Sequence, residues 1–174
     1  MSTPAQSPNE RFDVVDDYDE VIGQATREEV HTQGMLHRAI HILLQNNKGE
    51  ILLQKRSLAK DKNPGTWDSS TSGHLDAGED YDPAAKRELI EELNPSTVPE
   101  ISRLKYIKAC PETGNEFVWV YFGKSNGPFD PAENEIEEIQ WVSPLAIDEL
   151  IDQNLTQFSP CFAYIWKHIR RKLG

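Results

Sequence analysis

Cysteine is nearly absent from this chain: its two residues, Cys110 and Cys161, lie far apart and in no metal-binding or redox spacing. That pattern excludes a disulfide scaffold and leads to the expectation of reduced thiols in a cytoplasmic protein. Long apolar runs are missing too. No stretch approaches the ~20 residues needed to cross a bilayer, so no membrane partner is expected. Residues 1–10 are rich in Ser, Pro and Asn and have no apolar centre, which argues against a signal peptide and for a disordered tail. Positive charge is scarce: 18 Lys and Arg stand against 29 Asp and Glu, a net charge of −11. A chain without an overall positive field does not recruit nucleic acid. It can still take a phosphorylated small molecule where a divalent cation bridges the two negative partners.

What is present, 174 residues of which 37% are hydrophobic, suffices for one domain with a core and falls short of two. A single domain over 11–174 is expected, with an N-terminal hairpin unit at about 11–34 ahead of a core at about 35–173. Residues 12–16 and 21–25 flank a turn-like Asp17-Tyr18-Asp19-Glu20, and 27–34 reads as a polar connector. Strands are expected at 37–44 and 50–54, joined by the turn Asn46-Asn47-Lys48-Gly49. Further strands are expected at 67–75, 104–109, 117–122 and 139–142. A helix over 82–93 would use Asp82 as N-cap and Pro83 as first residue, and close at Asn94-Pro95. Helices are also expected over 144–152 and 159–173. Strands interleaved with helices indicate an α/β domain with helices packed on a mixed sheet.

The most informative segment is that first helix. Glu88, Glu91 and Glu92 stand at i, i+3 and i+4, so at about 3.6 residues per turn their carboxylates share a face. Ala85, Leu89, Ile90 and Leu93 are the expected apolar side. Such like charges repel, unless a hard cation such as Mg²⁺ draws on them as oxygen ligands. Glutamates on a helix more often form a solvated face, and the triplet alone favours that reading. The longer pattern tips the balance. Gly73, five residues, Glu79, seven residues, Arg87-Glu88, an apolar residue, any residue and Glu91-Glu92 together resemble the Nudix box; Asn94 stands where the family usually has Gly. The resemblance implies a Nudix α/β/α sandwich with helices on both faces of the sheet, and Mg²⁺ (or Mn²⁺) held by Glu88, Glu91 and Glu92. One of these glutamates, or a metal-bound water, would supply the base. It further implies an Arg87–Glu79 ion pair bracing loop and helix, and a Gly73 carbonyl near the metal.

The flanks resemble one branch of that superfamily, isopentenyl-diphosphate isomerase and its hydrolase relatives. Leu36-His37-Arg38-Ala39, Lys55-Arg56-Ser57-Leu58-Ala59-Lys60, Pro64-Gly65-Thr66-Trp67 and Ser72-Gly73-His74 match in order. The isomerases carry a Cys before Gly-His. Here Ser72 stands there, and a hydroxyl is far less acidic than a thiol, so isomerase chemistry is disfavoured. The resemblance makes Arg56 and Lys60 diphosphate contacts. His37, His74 and Glu116 match members of the branch's second metal site, His31 falls one residue from a third histidine, and Gly114 replaces the other glutamate. Ordinary hydrogen-bonded histidines are the equal alternative. His41 and His168 lack a match and are expected to be structural or exposed. Trp67, Trp119 and Tyr121 are candidates to line a substrate pocket, with core packing the commoner role for strand aromatics. Among Glu133, Glu135, Glu137 and Glu138 the sequence does not single out a catalytic glutamate. The expected activity is hydrolysis of a small-molecule diphosphate, with a homodimer left open. Isomerisation and nucleotide binding without turnover are the alternatives.

Overall fold

The computed structural model describes residues 6–173; positions 1–5 of the expected tail lie outside them. Strands β1 (Arg11–Val15) and β2 (Val21–Thr26) pair antiparallel as a hairpin. Asp16 shapes its turn by accepting from the backbone N–H groups of Tyr18 and Glu20. The connector expected at 27–34 is instead a helix, α1 (Arg27–Gln33). Thr26 and Glu29 form a reciprocal capping box, and Gly34 closes the helix at φ 64°. The carbonyls of Pro8 and Glu10 accept from Glu28 and Arg27, so this part of the expected tail is joined to the fold.

The main sheet has seven strands and is mixed. At its centre β3 (His37–Gln45) and β8 (Glu116–Lys124) run parallel, with His37 opposite Glu116. Strand β7 (Ile101–Ile107) lies antiparallel to β8, and β6 (Thr71–His74) antiparallel to β3. Beyond β3, β4 (Ile51–Arg56) carries β5 (Trp67–Asp68) and β9 (Ile136–Val142). The single strand expected at 67–75 is thus broken in two. The buried Ser70 hydroxyl donates to Leu52 O and accepts from Leu44 N–H, taking up groups a continuous ladder would have paired.

Alternation along β3 divides the core. Ile40, Ile42 and Leu44 pack under α2 (Tyr81–Leu93). Ala39 and Leu43 pack on the opposite face, where α3 (Pro144–Gln153) and α4 (Pro160–Ile169) supply Ile147, Phe162 and Trp166. Helices on both faces make the expected α/β/α sandwich. Three local expectations change. Helix α2 starts at Tyr81 with Asp80 as N-cap; Asp82 is occupied instead by Arg103 at 2.7 Å and the Tyr121 hydroxyl at 2.5 Å. Ile90 is 47% exposed, and Ala84 is buried in the stripe where Ile90 was expected. Helix α4, capped at its start by Ser159, ends at Ile169 and is followed by a 3-10 turn over Arg170–Lys172, where Arg170 donates to Asp148 at 2.8 Å and Lys172 to the Leu104 carbonyl at 3.2 Å. Asn94 does close α2 in the left-handed region, at φ 38°. Among the described residues no helix is long and apolar enough to cross a membrane.

Candidate active site

Gly73 in β6 sets the approach of α2 to the sheet. A Cβ there would sit 2.2 Å from Glu88 Cδ, so only glycine lets that carboxylate meet the strand. Arg87 then ties the loop to the helix. Its Nε and Nη2 donate to the two Glu79 oxygens at 2.9 and 2.8 Å, and Nη2 also donates to the His74 carbonyl at 3.0 Å. Nη1 reaches Glu88 at 2.8 Å and Glu91 at 3.1 Å. Charge-assisted, bidentate pairing of this kind fixes orientation as well as adding energy.

The α2 carboxylates are not equivalent. Glu91 is exposed, whereas Glu92 is buried. Glu92 accepts from Lys60 Nζ at 3.2 Å, Gln54 Nε2 at 3.0 Å and the Ser72 N–H at 3.2 Å, and from the Thr71 hydroxyl. Burial, reinforced by Glu92, pushes the Glu88 carboxyl up to about 8 against the pull of Arg87. Carboxylate oxygens are the ligand type a hard divalent ion takes, and an ion bound here would offset the repulsion that raises Glu88.

The sequence names Glu135 within the acidic run without singling it out. Its carboxylate contacts the buried Lys60 ammonium, as Glu92 does. Burial alone would lower Lys60, but Glu92 and Glu135 outweigh it and hold the ammonium charged. Burial likewise raises Glu135, against Lys60. Nothing in the spacing of the acidic run marks this position, because its partner arrives from another loop; Glu137, by contrast, pairs outward with Lys55 at 3.3 Å. A cavity of about 300 Å³ is lined by Glu88, Glu91, Glu92, Arg87, Lys60 and Glu135.

The hairpin and α1 complete a histidine cluster beside it. Ligand atoms of His31, His37, His74 and Glu116 all lie within 4.8 Å of one another. His37 Nδ1 bonds to Met35 O at 2.9 Å, leaving a buried Nε2 without a hydrogen-bond partner, 3.4 Å from Glu116 Oε1. In the tautomer whose Nδ1 donates to that carbonyl, Nε2 carries a lone pair that a cation beside Glu116 could take. Phe12 stacks on His74 at 4.8 Å between ring centroids, and covers the cluster. Burial and Arg27 lower His31 to about 4, and burial lowers His74 to about 3, so both rings are neutral at pH 7. Burial pushes Glu116 up, yet His74 and His37 outweigh it and hold the carboxyl well below the usual range.

A second cavity, of about 370 Å³, adjoins the first and shares Lys60, Ser72, Gly73 and His74 with it. Arg56 lines it but is buried, donating to Lys62 O at 3.0 Å and Asp68 at 3.4 Å. Trp67 lines neither cavity and packs on the α3/α4 core. Trp119 and Tyr121 belong to the α2-side cluster, Trp119 stacked under Arg103 at 4.7 Å. His168 is exposed, as expected; His41 is buried and lines the second cavity.

Comparison with known proteins places this geometry. The family model described as NUDIX domain matches residues 35–161. The uncharacterized Nudix hydrolase YfcD of Escherichia coli (strain K12) is 35% identical over 147 residues, covering 83% of this chain and 79% of that protein. Isopentenyl-diphosphate Delta-isomerase 2 of Photorhabdus laumondii is 35% identical over 144 residues, 80% of each chain. The crystal structure of DR0079 from Deinococcus radiodurans superposes with a TM-score of 0.76 at 27% identity, covering 93% of this chain and 98% of that one. With a glutamate helix, its glycine cradle and most of the chain aligned, this protein belongs to the Nudix family.

Proposed function

We propose that the chain hydrolyses a diphosphate linkage in a nucleoside di- or triphosphate or a related nucleoside-diphosphate-linked compound, using Mg²⁺ or Mn²⁺. The observation that carries this reading is the α2 carboxylate group, aimed by Gly73 and Arg87 into a cavity that Lys60 also lines. Glu88, Glu91 and Glu92 would hold the cation, which when bound polarises the phosphoryl group and orients a water. Glu135, its carboxyl raised by burial, is placed to take the proton of that water as its oxygen bonds to phosphorus. The bridging P–O bond breaks, and Lys60 and Arg56 stabilise the charge on the phosphate oxygens. His31, His37, His74 and Glu116 would form a second cation site, supported by the orphaned His37 Nε2. The two free cysteines fit a reducing, cytoplasmic setting.

The experiment is phosphate release from nucleotides, dinucleoside polyphosphates, nucleotide sugars and prenyl diphosphates with Mg²⁺. Turnover of a nucleoside diphosphate compound supports the reading; no turnover by the wild type, or binding without hydrolysis, refutes it.

A further inference from the structure

We infer that His41, Glu116 and Cys161 form a further cation site, one suited to a thiolate-preferring divalent ion such as Zn²⁺ rather than to the hard ion that fits α2. One ligand atom from each residue lies within 4.8 Å of the other two. His41 is fixed in the orientation a ligand needs. Its Nδ1 is held by the buried Ser69 hydroxyl at 2.7 Å, with Asp68 Oδ1 3.6 Å away, which turns Nε2 toward Cys161 Sγ at 3.4 Å. Nitrogen at about 2.0–2.1 Å and sulfur at about 2.3 Å on one tetrahedral zinc lie about 3.5 Å apart, so the observed spacing suits a shared ion. Holding the far ring nitrogen through a hydroxyl or carboxylate is how proteins orient a histidine ligand.

The strand pairing explains why these groups meet. His37, Ala39 and His41 alternate onto one face of β3, and Ser72 lies opposite His41 on β6. Ala39 offers only a methyl group, leaving open the floor of the 370 Å³ cavity into which Cys161 points from the first turn of α4. The protein's donors, a nitrogen, an oxygen and a sulfur, leave a fourth position facing that cavity, beside Arg56 and Lys60, where water or a phosphate oxygen fits. Glu116 also touches His74 at 2.7 Å, so its carboxylate joins this site to the histidine cluster. On binding, the Cys161 S–H bond breaks, a sulfur–metal bond forms and the proton leaves to solvent, with no change in oxidation state.

Titrating EDTA-stripped protein with Co²⁺, followed by near-ultraviolet absorbance, tests this site without reference to hydrolysis. The expected result is a thiolate-to-cobalt charge-transfer band that Zn²⁺ displaces. Cys161→Ser should abolish the band while leaving the far-ultraviolet circular dichroism unchanged. Cys110→Ser should retain it. Absence of the band in the wild type, or its survival in Cys161→Ser, overturns the inference.

Discussion

Replacing Gly73 with alanine puts a methyl carbon 2.2 Å from Glu88 Cδ and 2.3 and 2.6 Å from its carboxylate oxygens. Carbon contacts settle at about 3.5–4.0 Å, so the carboxylate must retreat by more than about 1 Å or β6 must part from α2. Retreat would move Glu88 into the 300 Å³ cavity and break its 2.8 Å bond from Arg87 Nη1. A misplacement of about 1 Å in a catalytic group costs on the order of 10²-fold in rate, and crowding a packed site costs about 1–3 kcal/mol. We therefore expect Gly73→Ala to lower kcat roughly 100-fold and stability by about 1–3 kcal/mol, read from Mg²⁺-dependent kinetics and from urea unfolding in EDTA. Adding Glu88→Ala removes the atoms that clash, so the double variant should recover part of the stability and none of the rate. A Gly73→Ala enzyme with wild-type kcat refutes the cradle argument.

Lys60→Ala leaves Glu92 and Glu135 without the ammonium between them, and breaking a buried pair costs about 3–5 kcal/mol; unfolding in EDTA should show that loss, Mg²⁺ should restore part of it, and an unchanged midpoint contradicts the pairing. His31 is lowered from 6.5 to about 4 by burial and Arg27, so the unfolded chain binds its proton more readily than the folded one. The stability it contributes is complete above pH 6.5 and is lost as pH falls toward 4. In EDTA, His31→Asn should flatten the stability curve over that window by roughly 2–3 kcal/mol, and an equally steep curve in the variant refutes it. With Ser72 in place of the isomerase cysteine, isopentenyl diphosphate incubated in deuterium oxide should gain no deuterium; incorporation would restore the isomerase reading.

The α2 site was legible because its chemistry is local. Gly73, Glu79, Arg87 and the glutamates lie close together in the chain, and helical period alone puts the carboxylates on one face. Asn94 was equally readable as a left-handed stop. Other features depended on distant partners. Asp82 resembled an N-cap until Arg103 and Tyr121, from separate strands, took its carboxylate. Helix α1 was read as a connector because it is short and polar, although Thr26 and Glu29 already spelled its capping box. That misreading left His31 without a structural place, when it stands 5.5 and 5.4 Å from the His37 and His74 rings. Glu135 and the His41–Cys161 pair were beyond reach of spacing, since Lys60 and α4 meet them only in the folded chain.

In the proposed reaction the α2 glutamates direct water to phosphorus. Turnover in ¹⁸O-labelled water with Mg²⁺, comparing wild type with Glu92→Gln, measures this directly. The expected result is ¹⁸O in a phosphate-bearing product of the wild type and loss of turnover in the variant. An unlabelled product, or full turnover by Glu92→Gln, would contradict it.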